Sequence, residues 1–199
     1  MVVPSETVAV SSSASSAPDE QKRAVTLRTH QPGDMGWITS RHGAIYAAEH
    51  GFDASFEAHV GRITARFLEA FDPARERCWI AIAPPSCTCT SSSESERLGS
   101  VMLISSEDRA TAKLRVLLAL PGARGLGVGR MLVAEALRFA REAGYRKVVL
   151  GTHSMLLPAR KLYAAHGFKL ASTTEEYEFG GDRVTEVWEL TFGENGCSA

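Results

Sequence analysis

Arg124-Gly125-Leu126-Gly127-Val128-Gly129-Arg130 lies between an apolar run, Val116-Leu117-Leu118-Ala119-Leu120, and a segment whose Met131, Leu132, Ala136, Leu137 and Ala140 form an apolar stripe at helical spacing. A strand, a glycine-rich bend and an amphipathic helix therefore follow one another. Glycine at every second position lets the backbone take turns closed to other residues and pass close to a ligand. The N–H groups of Gly125, Leu126, Gly127, Val128, Gly129 and Arg130 can then converge at a helix N-terminus, where orphan amides and the helix dipole favour a phosphate or pyrophosphate. A nucleotide P-loop would end in Gly-Lys-Ser/Thr, which this stretch lacks. A dinucleotide fingerprint begun at Gly125 and Gly127 would need its third glycine where Arg130 stands. A tight turn without a ligand seldom needs three glycines.

The rest of the chain builds outward from this bend. Residues 111–120 read as a strand whose continuous apolar run predicts a central place with both faces buried. Before it, residues 78–83 and 98–104 read as a hairpin across a long polar connection, residues 84–96, expected to be mobile. Two helices come earlier still. One opens with Asp34 as its cap, carries Trp37, Ile38, Ile45 and Ala48, and stops at Gly51. The other opens at Asp53 or Ser55 and sets Phe56, Val60, Ile63, Phe67 and Phe71 on one face. A short strand at 24–28 leads. After the glycine bend and its helix come a strand at 147–151, a short helix at 158–166 closed by Gly167, and a hairpin of 168–179 with 183–190 turning at Gly180-Gly181-Asp182. The order β-α-α-β-β-β-α-β-α-β-β predicts an α/β (α+β) domain, with helices packed on a mixed sheet.

Length and composition agree with one such domain over residues 23–192, between a Ser-rich tail (1–22) expected to be disordered and a short C-terminal tail (193–199). Lys+Arg number 22 against 23 Asp+Glu, a formal charge of −1, so no broad field draws in nucleic acid. No stretch reaches the ~20 apolar residues that span a bilayer. Residues 1–17 hold no apolar core of a secretory signal. Cys78, Cys87, Cys89 and Cys197 are too few for a disulfide scaffold and lack zinc-ligand spacing. Reduced thiols, no metal and a cytoplasmic location are the expectations.

A second block joins the first. Ala159-Arg160-Lys161-Leu162-Tyr163-Ala164-Ala165-His166-Gly167-Phe168 follows about 30 residues after the glycine bend, with a helix and a strand between. It resembles the A-x-x-L-Y-x-x-x-G-F block of the GNAT acetyltransferase superfamily, and Arg124, Gly127 and Gly129 are similar to that superfamily's R-x-x-G-x-G pyrophosphate loop. The resemblance runs from about Val25 to Leu190. Gln31-Pro32-Gly33-Asp34-Met35-Gly36-Trp37-Ile38 and Tyr145-Arg146-Lys147 further resemble the acetyltransferase half of bacterial MarR-type regulator fusions, without the DNA-binding half.

The resemblance implies a GNAT-like sheet of six to seven strands, splayed at its centre and flanked by about four helices. It implies acetyl-CoA as cosubstrate, its pantetheine arm beside Leu117, Leu118 and Ala119 and its pyrophosphate on the amides of 125–130, with Arg124 and Arg130 at hand. It places Tyr163 as the general acid that protonates the departing sulfur. The acceptor it implies is a primary amine of a small or amino-acid-like molecule; a protein or peptide amine and a non-catalytic acyl-CoA sensor are the alternatives. Homodimers through the terminal strands are common among relatives. Two positions depart from the pattern. Leu156 stands where many relatives carry an Asn that contacts the cofactor, leaving His153 or Ser154 as substitutes. Gly151 stands where some carry a Glu base, leaving Glu49, His50, Glu57 or a water chain.

Overall fold

The computed structural model describes residues 24–84 and 95–193. The chain runs β1 (Thr26–Thr29), α1 (Asp34–His50), α2 (Ala54–Glu69), β2 (Arg77–Ala83), β3 (Glu96–Ser105), β4 (Thr111–Ala119), a 3-10 turn (Pro121–Ala123), α3 (Val128–Glu142), β5 (Lys147–His153), α4 (Leu157–Ala165), β6 (Lys169–Glu178) and β7 (Gly181–Thr191). The expected order of elements is the observed one. The two tails lie outside the described residues except for Gly193, as does most of the 84–96 connection with Cys87 and Cys89. Cys78 is a buried free thiol.

Seven strands form one mixed sheet in the order β1-β2-β3-β4-β5-β7-β6. Among the described residues only β4 and β5 pair in parallel. Alternation along β2 shows how the sheet divides two cores. Trp79, Ala81 and Ala83 face a cluster with Leu132, Val133, Ala136 and Ala140 of α3. Cys78 and Ile80 face the other way, with Ile38 of α1 and Phe56, Val60 and Phe67 of α2. Leu132 is fully buried; truncating such a side chain to alanine costs about 2–5 kcal/mol.

Three local expectations are corrected. Asp34 is the first helical residue, and the cap position belongs to Gly33 at φ 91°. The Asp34 carboxylate is instead buried, bonded by Arg28 (2.6 and 3.0 Å) and by the Gln31 N–H, with Arg97 at 3.2 Å. A charge so enclosed needs cations more than a helix end does. Asp53 does cap α2, accepting from the Ser55 N–H at 2.9 Å, but that helix stops at Glu69, before Phe71. The terminal hairpin turns at Phe179-Gly180 (φ 52° and 84°), not at 180–182, because a two-residue hairpin of this twist needs two left-handed residues.

The fourth strand departs most from its expected burial. Ser100 and Met102 of β3 face Leu118 and Arg115, so β4 carries one extra residue. Val116 takes φ 45° there, and the buried Ser100 hydroxyl donates to its carbonyl at 3.1 Å. Pairing with β5 stops at Leu114 opposite Leu150, while β5 runs on to His153 along β7. The central run is therefore half-buried at Val116 and Leu117, because the sheet opens beside it.

Candidate active site

A cleft of about 1020 Å³ enters this opening. Its walls come from α1, α2, the 115–119 run of β4, the glycine bend, the end of β5, α4 and the β6–β7 tip.

At one end lies the glycine bend. The Arg124 and Leu126 N–H groups are turned back on Pro121 and Ala123 carbonyls, at 3.2 and 3.3 Å. Leu126 packs its side chain into the α3 core. Among the described residues, the N–H groups of Gly125, Gly127, Val128, Gly129 and Arg130 meet no acceptor. Five amides therefore remain for an anion at the start of α3. Gly125 and Gly127 need glycine for φ 85° and 77°, whereas a Cβ on Gly129 would stand 3.1 Å from Leu162 of α4. The Arg124 guanidinium reaches both Glu49 carboxylate oxygens, at 2.7 and 2.5 Å.

Tyr163, on α4, lines the middle of the cleft and is 5% exposed. Its ring packs edge-on to Phe168. Burial, with Tyr46 nearby, pushes its phenol well above the usual tyrosine range, so the hydroxyl keeps its proton at neutral pH. Tyr46, also in the cleft, is pushed up to about 12 by burial, with Glu49 adding to it. Leu156 closes the wall beside them.

The other end gathers residues distant in sequence. His153 faces the cleft, whereas Ser154 turns its N–H to the Val184 carbonyl and is not part of the wall. His153 Nδ1 is 3.4 Å from Glu178 Oε1, and the Thr185 hydroxyl donates to that carboxylate at 2.6 Å. Burial lowers the His153 pKa; Glu178 opposes this, and Arg183, His50 and His59 add to it. Phe179 stacks on Phe52 at the hairpin tip, and its carbonyl accepts from the Asp53 N–H at 3.1 Å. Of the expected bases, Glu49 is paired with Arg124, His50 lines the cleft and Glu57 is exposed outside it.

Sequence reading missed His59, Arg115, Glu178 and Phe179, which line this end. None of them carried a local signal, and Phe179 holds a left-handed turn position that usually goes to Asn, Asp or Gly. Among the described residues no three His, Cys, Asp or Glu side chains gather as a metal site, and no helix is long and apolar enough to cross a membrane.

The Acetyltransferase (GNAT) family profile matches residues 44–168. The chain is 33% identical over 107 residues to the N-acetylaspartate synthetase of Danio rerio, covering 54% of this chain and 38% of that one. It is 35% identical over 88 residues to N-acetyltransferase 8B of Homo sapiens, covering 42% and 39%. It thus spans about two fifths of these curated relatives. Its fold is similar to that of yncA from Salmonella typhimurium, solved with its cofactor acetyl-CoA. The TM-score is 0.66 at 17% identity over 88% of this chain and 98% of that one. With the profile matching well over half of its residues, glycine bend and Tyr163 included, the chain belongs to the GNAT acetyltransferase family.

Proposed function

We propose that the protein is an acetyl-CoA-dependent N-acetyltransferase that acetylates the primary amine of a small, amino-acid-like acceptor by direct attack in a ternary complex. One observation carries this reading: five amides without acceptors at the start of α3 lie beside a run of β4, 115–119, that β5 does not pair. The first feature suits a diphosphate, the second an extended arm with amides of its own. Gly125, Gly127, Val128, Gly129 and Arg130 would hold the diphosphate, and Leu117, Leu118 and Ala119 the arm. The Arg130 side chain adds a cation, while the Arg124 head is engaged by Glu49.

When bound, acetyl-CoA supplies an activated acyl carbon and a thiolate leaving group. Tyr163 would deliver its phenolic proton to the sulfur as the carbon–sulfur bond breaks. His153 would take the proton that the amine loses as its nitrogen bonds to the acyl carbon. Burial keeps that imidazole neutral near pH 7, and Glu178 orients it. Holding both reactants in one cleft makes the attack effectively intramolecular. The nearer kinship to MarR-type fusions rests on Gln31 to Ile38 and Tyr145 to Lys147 alone.

Incubation with acetyl-CoA and a broad amine panel, peptides included, tests the reading by following free thiol. Release above background with at least one amine is expected. No release with any amine, while CoA still binds by calorimetry, overturns catalysis in favour of the sensor reading that Leu156 suggests.

A further inference from the structure

Several arginines in the cleft and its surroundings have a carboxylate partner. Arg28 and Arg97 share Asp34, Arg160 is 3.0 Å from Glu186, and Arg124 holds Glu49. Arg115 differs. It is half-buried in the cleft wall, and among the described residues it has no ion pair and no side-chain hydrogen bond. Desolvation alone acts on its guanidinium, lowering its pKa with no acid to compensate. A desolvated, unpaired guanidinium is costly unless a ligand completes it.

Its position separates it from the diphosphate end. Arg115 precedes Ala119 by four strand positions, roughly 13 Å at ~3.3 Å per residue. It sits where β4 and β5 part, one residue past the last paired position, Leu114. The bulge at Val116 turns consecutive residues to one side: Val116 packs with the α1–α2 cluster, and the Arg115 charge bears on His59 of α2. His59 also feels Glu178, so it stands under the influence of a cation and an anion at once. Glu178 is held by Thr185 and His153.

We propose that Arg115 is a specificity-determining residue that binds the carboxylate of the acceptor, so that the substrate class is a free amino acid or a similar carboxylate-bearing primary amine. Its amino group lies toward Glu178 and His153, and its carboxylate toward the guanidinium fork, which matches a carboxylate bidentately. This rests on the N-acetyltransferase reading above, and deepens it.

The test is calorimetric. CoA-saturated protein is titrated with the common amino acids, then with the amide and the decarboxylated amine of each. At least one amino acid is expected to bind 30-fold or more tightly than its two counterparts that lack the α-carboxylate. Arg115→Gln should abolish that preference while leaving CoA affinity within about twofold, and Arg115→Lys, which keeps the charge but not the fork, should retain part of it. Equal binding of acids and amides, no binding of any acid, or an undiminished preference in a folded Arg115→Gln protein overturns the proposal. Failure of the parent reading looks different: acids bind with the stated preference, yet no thiol is released from acetyl-CoA.

Discussion

The glycine bend shows how one residue type answers different constraints within five positions. Gly125 and Gly127 hold left-handed backbone, while Gly129 makes room for Leu162. Gly127→Ala should therefore cost about 1–2 kcal/mol of backbone strain and raise KM for acetyl-CoA several-fold with kcat little changed, as steady-state kinetics would read. Tyr163→Phe keeps the ring against Phe168 and removes only the hydroxyl. We expect kcat to fall ~10²-fold or more with acetyl-CoA affinity unchanged by calorimetry. Both sites were legible in the sequence because each is a contiguous run on one turn or helix. Arg115, His59 and Glu178 were not, because β4, α2 and β6 bring them together only after the sheet forms. No spacing rule links them.

Among elements, the β6–β7 hairpin does more than close the sheet. Its two-residue turn draws Phe179 over the cleft, Asp53 anchors the Phe179 carbonyl, and Thr185 across the register fixes Glu178 beside His153. The sequence disclosed the hairpin but placed its turn a residue late, since Gly180-Gly181-Asp182 looks the more turn-prone run. In Glu178→Gln the group that raises the His153 pKa is lost, while burial still lowers it. The acidic limb of the kcat/KM profile should then move to lower pH, with a lower plateau; a limb that stays put would remove His153 from the base role. Elsewhere, Gly99 of β3 faces Ala119, and a Cβ there would stand 2.4 Å from the Leu118 carbonyl. Gly99→Ala should displace the end of β4, seen as weaker acetyl-CoA binding together with a lower Tm.

At the scale of the whole molecule, the two cores on either side of the sheet carry different liabilities. On the α3 side the buried Glu186 carboxylate is matched by Arg160 and the Trp188 indole N–H, whereas the α1–α2 side encloses His42, 2% exposed, with Nδ1 2.8 Å from the Ile38 carbonyl. Burial lowers its pKa from 6.5 to about 4. The unfolded chain therefore binds the proton more tightly between those values. The stabilisation is complete above pH 6.5 and falls away as pH drops toward 4, a loss of about 3 kcal/mol. Urea unfolding at pH 7.5 and 4.5 should show that loss in the parent protein and a smaller one in His42→Phe. The mixed sheet and its element order were readable from periodicity and punctuation. The bulge in β4 was not, since nothing in Arg115-Val116-Leu117 distinguishes a bulged strand from a regular one.

The parting of β4 from β5 leaves a seam through the middle of the fold rather than at its rim. A seam of that kind is closed by whatever extended chain lies in it, so the cosubstrate would serve as a suture between two half-sheets as well as a reagent. At a hundred times its Kd such a ligand adds about 2.7 kcal/mol to folding. Amide exchange along residues 115–119 should slow in step with its concentration, and the two halves of the sheet should then melt as one.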